Sequence, residues 1–112
     1  MEISSQTEGT HVLVINLRED NLDASNVAEF KETVLALIQP YAHVVLDLTG
    51  VKFIDSSGLG AMILCLRQLN ARQGDIRLCN LSVTVLALFE LMRMNRVFNI
   101  HSSREAAVAS FG

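Results

Sequence analysis

The sequence predicts an α/β fold in which a mixed, mostly parallel β-sheet of four to five strands packs with about four helices. Apolar residues recur at strand-like and helix-like spacing in alternating segments along the chain. Helical segments lie between successive strands, and such crossovers favour parallel neighbours with right-handed connections. The length of 112 residues leaves room for a single domain, 1–112, with one core.

The first part of the chain predicts two strands and a helix. His11–Leu17 is a dense aliphatic run, and a weaker strand at Glu2–Thr7 is expected to pair with it through a turn at Glu8-Gly9. Asp23 is placed to cap a helix that Pro40 ends. The apolar positions of this helix are Val27, Phe30, Val34, Leu37 and Ile38.

The middle of the chain predicts a buried strand followed by a longer helix. His43–Leu48 is nearly continuous in apolar residues, as expected for a strand covered on both faces. A second short apolar piece, Val51–Ile54, follows a turn. From Ser56 a helix is predicted to about Gln73, with Gly74 in the left-handed position after its end. The core face of this helix comprises Leu59, Met62, Ile63, Leu66 and Leu69.

The next segment predicts a half-buried strand and a third helix. Asp75–Leu81 alternates between polar and apolar residues. Ser82 is expected to cap the helix and Asn95 to end it. The apolar positions of this helix are Val85, Leu88, Phe89 and Met92.

A short strand and a short helix complete the predicted fold. Val97–Ile100 is the last apolar run. Ser102 and Glu105 have the spacing of a capping box, which opens a helix that continues through Ala109.

Composition and charge exclude several classes of function. The formal charge is −3 and Lys and Arg are not clustered, whereas nucleic-acid binding requires a cationic surface. The longest clean apolar stretch, Leu59–Leu66, is too short to span a bilayer, and the polar start is not typical of a secretory signal. Cys65 and Cys79 form neither a disulfide framework nor a metal cluster and are expected to be core thiols. We therefore expect a cytoplasmic protein with no cofactor, no metal and no nucleic-acid partner.

The segment Phe53–Gly60 joins a strand end to a helix start, where α/β proteins place functional groups. One interpretation is a simple helix cap by Asp55 or Ser56. However, Gly58 and Gly60 each weaken the first helical turn by roughly 1 kcal/mol relative to alanine. Paired glycines there are explained if another backbone or a partner approaches closely. Two adjacent hydroxyls also exceed what capping needs, and a phosphate at this position would meet the positive end of the helix dipole.

The sequence motifs give little support to two enzymatic functions, a serine hydrolase and a dinucleotide-binding enzyme. A nucleophile elbow has the pattern G-x-S-x-G, whereas Ser56 follows Ile54-Asp55, and the three histidines are predicted at strand or turn edges. Dinucleotide binding would need G-x-G-x-x-G, and Ile63 occupies the third glycine position. We expect no catalytic activity.

The chain resembles the STAS domains, and in particular the stand-alone bacterial anti-sigma factor antagonists. The most specific part is V-V-L-D-L-T-G-V-K-F-I-D-S-S-G-L-G at positions 44–60. Asn21-Leu22-Asp23 and Leu88-Phe89-Glu90-Leu91-Met92 also look like family segments. The chain departs from the family at Glu19-Asp20-Asn21, where a glycine is usual. Asn tolerates a left-handed turn, so the turn is expected to survive, with added acidity beside the site.

The resemblance implies a function in partner switching. In this family an anti-sigma factor that is a serine kinase phosphorylates the residue after the motif's aspartate, which is Ser56 here, with Ser57 a less favoured acceptor. The unmodified antagonist binds the kinase and frees the sigma factor, and a PP2C-type phosphatase restores the phosphorylated form. The docking surface is expected to comprise Asp23, Asp55, Ser56, Ser57, Gly58 and Leu59. Other STAS domains are subunits of stress-signalling complexes or accessory proteins of lipid transport, and these functions remain alternatives.

Overall fold

A computed structural model describes residues 1–9 and 11–112, and within these ranges the backbone forms one five-stranded sheet and one two-stranded sheet. In chain order the strands are β1 (Ile3–Glu8), β2 (Val12–Leu17), β3 (Asn21–Leu22), β4 (His43–Asp47), β5 (Phe53–Ile54), β6 (Asp75–Cys79) and β7 (Ile100–His101). The larger sheet has the order β1-β2-β4-β6-β7, with only the β1–β2 pair antiparallel. The prediction of a mixed, mostly parallel sheet is confirmed.

Four α-helices lie within the described ranges, as predicted. They are α1 (Val27–Leu37), α2 (Ser56–Asn70), α3 (Val83–Leu91) and α4 (Arg104–Ala109), and a 3-10 turn spans Met94–Arg96. Helices α1, α2 and α3 lie in the connections between the parallel pairs β2 and β4, β4 and β6, and β6 and β7, which is the crossover arrangement that the sequence indicated.

Side chains from both faces of the sheet are buried, as the alternation along β2 illustrates. Leu13 and Ile15 belong to the large core, to which α1, α2 and α3 contribute residues such as Phe30 and Phe89. Val12 and Val14 lie in a smaller cluster on the other face, together with Val45, Cys79 and Ala107 of α4. Cys65 and Cys79 are both buried free thiols, as expected.

The chain leaves α2 through a left-handed residue that differs from the predicted one. Gln73, not Gly74, has a positive φ of 64°. The amide of Gly74 donates to the carbonyl of Leu69 (2.8 Å) and that of Gln73 to Asn70 (3.0 Å), which is a Schellman ending. Gly74 is needed for a different reason, because a Cβ there would collide with the carbonyl of Ala42. The prediction of a left-handed Gly74 is therefore wrong, and α2 ends at Asn70, a few residues before the predicted end near Gln73.

Three boundaries late in the chain also differ from the predictions. Helix α3 ends at Leu91, because Arg93 turns left-handed (φ 60°), so Asn95 does not end it. The last strand begins at Ile100 and not at Val97. Ser103, not Ser102, caps α4, with its hydroxyl accepting from the amide of Ala106 at 3.1 Å. The capping-box prediction is therefore wrong by one residue.

Candidate functional site

Asp55 begins α2 and organises the site around it. Its backbone is extended (φ −92°, ψ −177°), which turns the side chain back over the first helical turn. One carboxylate oxygen, Oδ1, accepts from the amide of Gly58 at 2.9 Å and from the hydroxyl of Ser57 at 2.6 Å. Asp55 is thus the N-cap of α2, as one of the two predicted caps.

A second segment is held against this helix start by the small parallel sheet. Asn21 pairs with Phe53 and Leu22 with Ile54, so the chain that follows Leu22 emerges beside Asp55. The amide of Asp55 donates to the carbonyl of Leu22 (3.1 Å), and the amide of Ala24 donates to Asp55 Oδ2 (3.1 Å). The Asp55 carboxylate therefore ties together two segments that are distant in sequence.

Gly58 permits this close approach. It is buried, and a Cβ at this position would lie 2.7 Å from the carbonyl oxygen of Leu22 and 2.9 Å from Cγ2 of Ile54. A glycine is required because the β3 backbone occupies the space of a side chain. The predicted approach of another backbone is confirmed at Gly58, whereas a Cβ at Gly60 would meet nothing within 4 Å.

The two adjacent serines have different environments. Ser57 is half-buried, and its hydroxyl donates to the Asp55 carboxylate. Ser56 is exposed, and no hydrogen bond of its hydroxyl is found among the described residues. The side chain of Ser56 is therefore presented to solvent at the positive end of the α2 dipole.

Asp23 lies at the start of a turn and not at the start of a helix. Its carboxylate accepts from the amide (3.0 Å) and hydroxyl (2.5 Å) of Ser25, and its own amide donates to Oδ1 of Asn26 (3.0 Å). Helix α1 begins only after Asn26, which makes no side-chain cap. The prediction that Asp23 caps α1 is wrong, because the Ser25 interactions form a separate turn first.

Leu59 and Gly58 do not lie on the surface. Leu59 is 3% exposed and belongs to the main core, and Gly58 is buried under Leu22. The expectation that Gly58 and Leu59 lie in the docking surface is not supported, because both residues are buried. The helical spacing of Leu59 with Met62 and Leu66 already indicated a core position.

The hydrogen bonds around Asp55 favour its charged form. Donation by the Ser57 hydroxyl, followed by donation from the amide of Gly58, lowers the pKa of the Asp55 carboxyl below its ordinary value of 3.8. A carboxylate is therefore fixed beside Ser56 throughout the physiological pH range.

Further carboxylates line a separate cleft that includes Asp23. An open cleft of about 440 Å³ is lined by Glu19, Asp20 and Asp23 on the acidic side and by Arg18. Lys52 approaches Asp20 at 4.0 Å, with both side chains largely exposed. Asn21 does not have a positive φ, so the expected left-handed turn at Asn21 is not present and this residue lies in β3. Arg18 and Lys52 therefore offset part of the acidic charge of this cleft.

The family model described as the STAS domain matches residues 3–107, which is most of the chain. The chain belongs to the STAS domain family. This membership confirms the resemblance drawn from the D-S-S-G-L-G segment and from the strand before it.

Similar proteins have names that agree with this STAS assignment. BtrV of Bordetella bronchiseptica, named as an anti-sigma factor antagonist, is 41% identical over 69 residues, which is 62% of this chain and 60% of BtrV. The anti-sigma-B factor antagonist of Listeria monocytogenes is 33% identical over 81 residues, 70% of each chain. A solved STAS domain protein of Planctomyces limnophilus, named as an anti-sigma-factor antagonist, has a TM-score of 0.88 at 25% identity and covers 98% of both chains. These three relatives are therefore all named as anti-sigma factor antagonists.

Sequence reasoning located the start of the STAS site but missed part of its construction. The pairing of β3 with β5 was not predicted, because two-residue strands have no measurable periodicity. The engagement of Ser57 by Asp55 was also missed, although a serine two residues after an N-cap aspartate was a signal.

Among the described residues, no group of His, Cys, Asp and Glu could hold a metal ion. None of the helices in the described ranges has the length and apolar character needed to cross a membrane.

Proposed function

We propose that this chain is an anti-sigma factor antagonist that is switched by phosphorylation of Ser56. In its unmodified form it binds an anti-sigma factor that is a serine kinase, and the sigma factor is released. The observation that carries this proposal is the exposed Ser56 hydroxyl, which stands beside an Asp55 carboxylate that is already engaged. The names of the homologues support the same function.

Ser56 is the better phosphate acceptor of the two serines. Its hydroxyl is exposed, so a kinase can reach it without unfolding the helix. Modification of Ser57 would instead remove the 2.6 Å hydrogen bond to Asp55 and place a phosphate directly against that carboxylate. The positive end of the α2 dipole offsets part of the charge of a phosphate on Ser56.

A phosphate on Ser56 weakens partner binding by adding negative charge beside the Asp55 carboxylate. Phosphorylation adds about −1.5 to −2 charges beside Asp55 and Asp23. Burying this group at an interface requires cationic groups of the partner, and without them the desolvation cost weakens binding. The hydroxyl of Ser56 makes no hydrogen bond among the described residues, so its modification breaks no contact and the fold is retained. A PP2C-type phosphatase then restores the binding form.

The experiment measures binding to a candidate serine-kinase anti-sigma factor before and after addition of ATP. Wild-type protein is expected to bind and then dissociate as phosphate is added to Ser56. Ser56→Ala should bind and resist release, and Ser56→Asp should bind weakly. Ser57→Ala serves as the matched control and should behave as wild type. Equal binding by Ser56→Ala and Ser56→Asp would contradict the proposal.

A further inference from the structure

Helix α3 has an apolar side that nothing covers. Only two of its nine residues, Val85 and Phe89, are buried, at 1% and 0% exposure. Val83, Ala87 and Leu91 recur every four residues and are offset by two from the buried pair, so they lie on the outward side of the helix. Val83 is 87% exposed and Leu91 82%. We call Val83, Ala87 and Leu91 the α3 stripe.

This exposure is not explained by the stability of the fold. Apolar side chains in water contribute nothing to the core, and contiguous exposed apolar residues mark interaction sites. Further exposed apolar side chains follow the helix, with Met92 41% and Val97 44% exposed. The small side chain of Ala87 at the centre of the stripe would let a second helix approach closely.

The charges around the stripe indicate the chemistry of the partner. Arg93 and Arg96 follow the C-terminal end of α3, both are exposed, and neither forms an ion pair among the described residues. The N-terminal end has no acidic residue in the first turn to offset the positive end of the dipole. Glu90, which is exposed in the last turn of α3, offsets part of this charge, and the two arginines leave a net positive charge at the C-terminal end that attracts carboxylates.

A second copy of this chain fits this surface poorly. In an antiparallel two-fold pairing, Arg93 of each copy would lie near the positive N-terminal end of the other α3, and in a parallel pairing it would lie near the other Arg93. A lipid surface is also disfavoured, because the stripe lacks the aromatic side chains that anchor interfacial helices. An acidic partner helix satisfies both the apolar stripe and the two arginines.

We propose that the α3 stripe binds an amphipathic helix of a partner protein. The apolar face of that helix packs on Val83, Ala87 and Leu91, and its carboxylates pair with Arg93 and Arg96. None of these residues belongs to the surface around Ser56. The proposal thus goes beyond the function assigned above and does not rest on it.

The test uses two designed helical peptides with the same leucine face. One carries three glutamates at one end and the other carries three lysines there. Binding to the full chain is measured by fluorescence anisotropy, and the site is mapped by amide chemical shifts. The acidic peptide should bind at least about fivefold more tightly, as expected for two exposed charge pairs, and should shift amides of residues 83–97. The double variant Arg93→Glu with Arg96→Glu should instead bind the lysine peptide more tightly than the acidic peptide.

Two leucine variants distinguish binding at the α3 stripe from nonspecific hydrophobic binding. Leu91→Asn should lose binding of the acidic peptide while its circular dichroism stays unchanged, since Leu91 is 82% exposed. Leu64→Asn, at an exposed leucine of α2, should bind as wild type. Equal binding of both peptides, shifts outside residues 83–97, or binding unaffected by Leu91→Asn would overturn the proposal. Self-association, or binding to anionic vesicles, that depends on Leu91 would overturn it equally.

Discussion

The hydroxyl of Ser57 donates to Oδ1 of Asp55 at 2.6 Å, and this single contact distinguishes two serines that are neighbours in sequence. The same oxygen also accepts from the amide of Gly58, so Ser57 is part of the helix cap. Ser56, one residue earlier, is exposed. Ser57 is therefore part of the helix cap, whereas Ser56 faces solvent.

Phosphate transfer should follow this division. On incubation with a serine-kinase anti-sigma factor and ATP, wild type and Ser57→Ala should each gain one phosphate, mapped to Ser56 by peptide mass analysis. Ser56→Ala should gain none, because the remaining hydroxyl is engaged by Asp55. Phosphate found on Ser57 in the wild-type protein would refute the assignment.

The pKa of Asp55 should depend on Ser57 and not on Ser56. The hydroxyl of Ser57 is the largest cause of the lowered pKa of the Asp55 carboxyl. Ser57→Ala should therefore raise this pKa towards its ordinary value, as measured by carbon NMR of the side-chain carboxyl during a pH titration. Ser56→Ala is the matched control and should leave the pKa unchanged.

The sign of the pH effect on stability follows from the same shift. Since the folded-state pKa of Asp55 is lowered, the carboxylate stabilises the fold above the ordinary pKa of 3.8. This contribution is lost as the pH falls through the lowered folded-state value. Ser57→Ala should reduce the acid-dependent part of the unfolding free energy, and an unchanged acid dependence would contradict the cause assigned to the shift.

Two glycines in the first turns of α2, Gly58 and Gly60, should respond oppositely to alanine. Gly58→Ala should lower the free energy of unfolding by about 1–3 kcal/mol, because its Cβ would meet the Leu22 carbonyl at 2.7 Å. Gly60→Ala has open space and should raise that free energy by roughly 0.5–1 kcal/mol. Urea unfolding of both variants measures the difference, and similar effects at the two positions would contradict the packing described here.

The two cysteines should be inert in the folded protein. Burial raises the pKa of the Cys65 thiol to about 11, and burial with the nearby charge of Asp47 raises that of Cys79 to about 12. At pH 8 a thiol-specific disulfide reagent should react with neither thiol in the native state and with both in urea, because the thiolate is the reactive form. Rapid reaction of either thiol in native protein would show that it is accessible.

The sequence predicted the fold class because the long strands and helices have strong periodicity. It also predicted the helix start at Asp55 and Ser56, where a cap residue follows an apolar strand. The predicted N-caps of α1 and α4 were wrong, because contacts between neighbouring residues determine which side chain caps each helix. Asp23 has the chemistry of a cap, but its carboxylate is occupied by Ser25, so α1 starts after Asn26. Ser102 and Ser103 are chemically equivalent, and the sequence could not decide which of them caps α4.

The ending of α2 shows why glycine alone does not identify a left-handed residue. Gln73 has φ 64°, and Gly74 is required only by the carbonyl of Ala42. Gln73→Gly should therefore raise the free energy of unfolding by up to about 1 kcal/mol, because glycine adopts this conformation without strain. Gly74→Ala should lower it by about 1–3 kcal/mol through the collision. Urea unfolding measures the free energy of unfolding of both variants. If Gln73→Gly did not raise this free energy, the left-handed conformation of Gln73 would be contradicted.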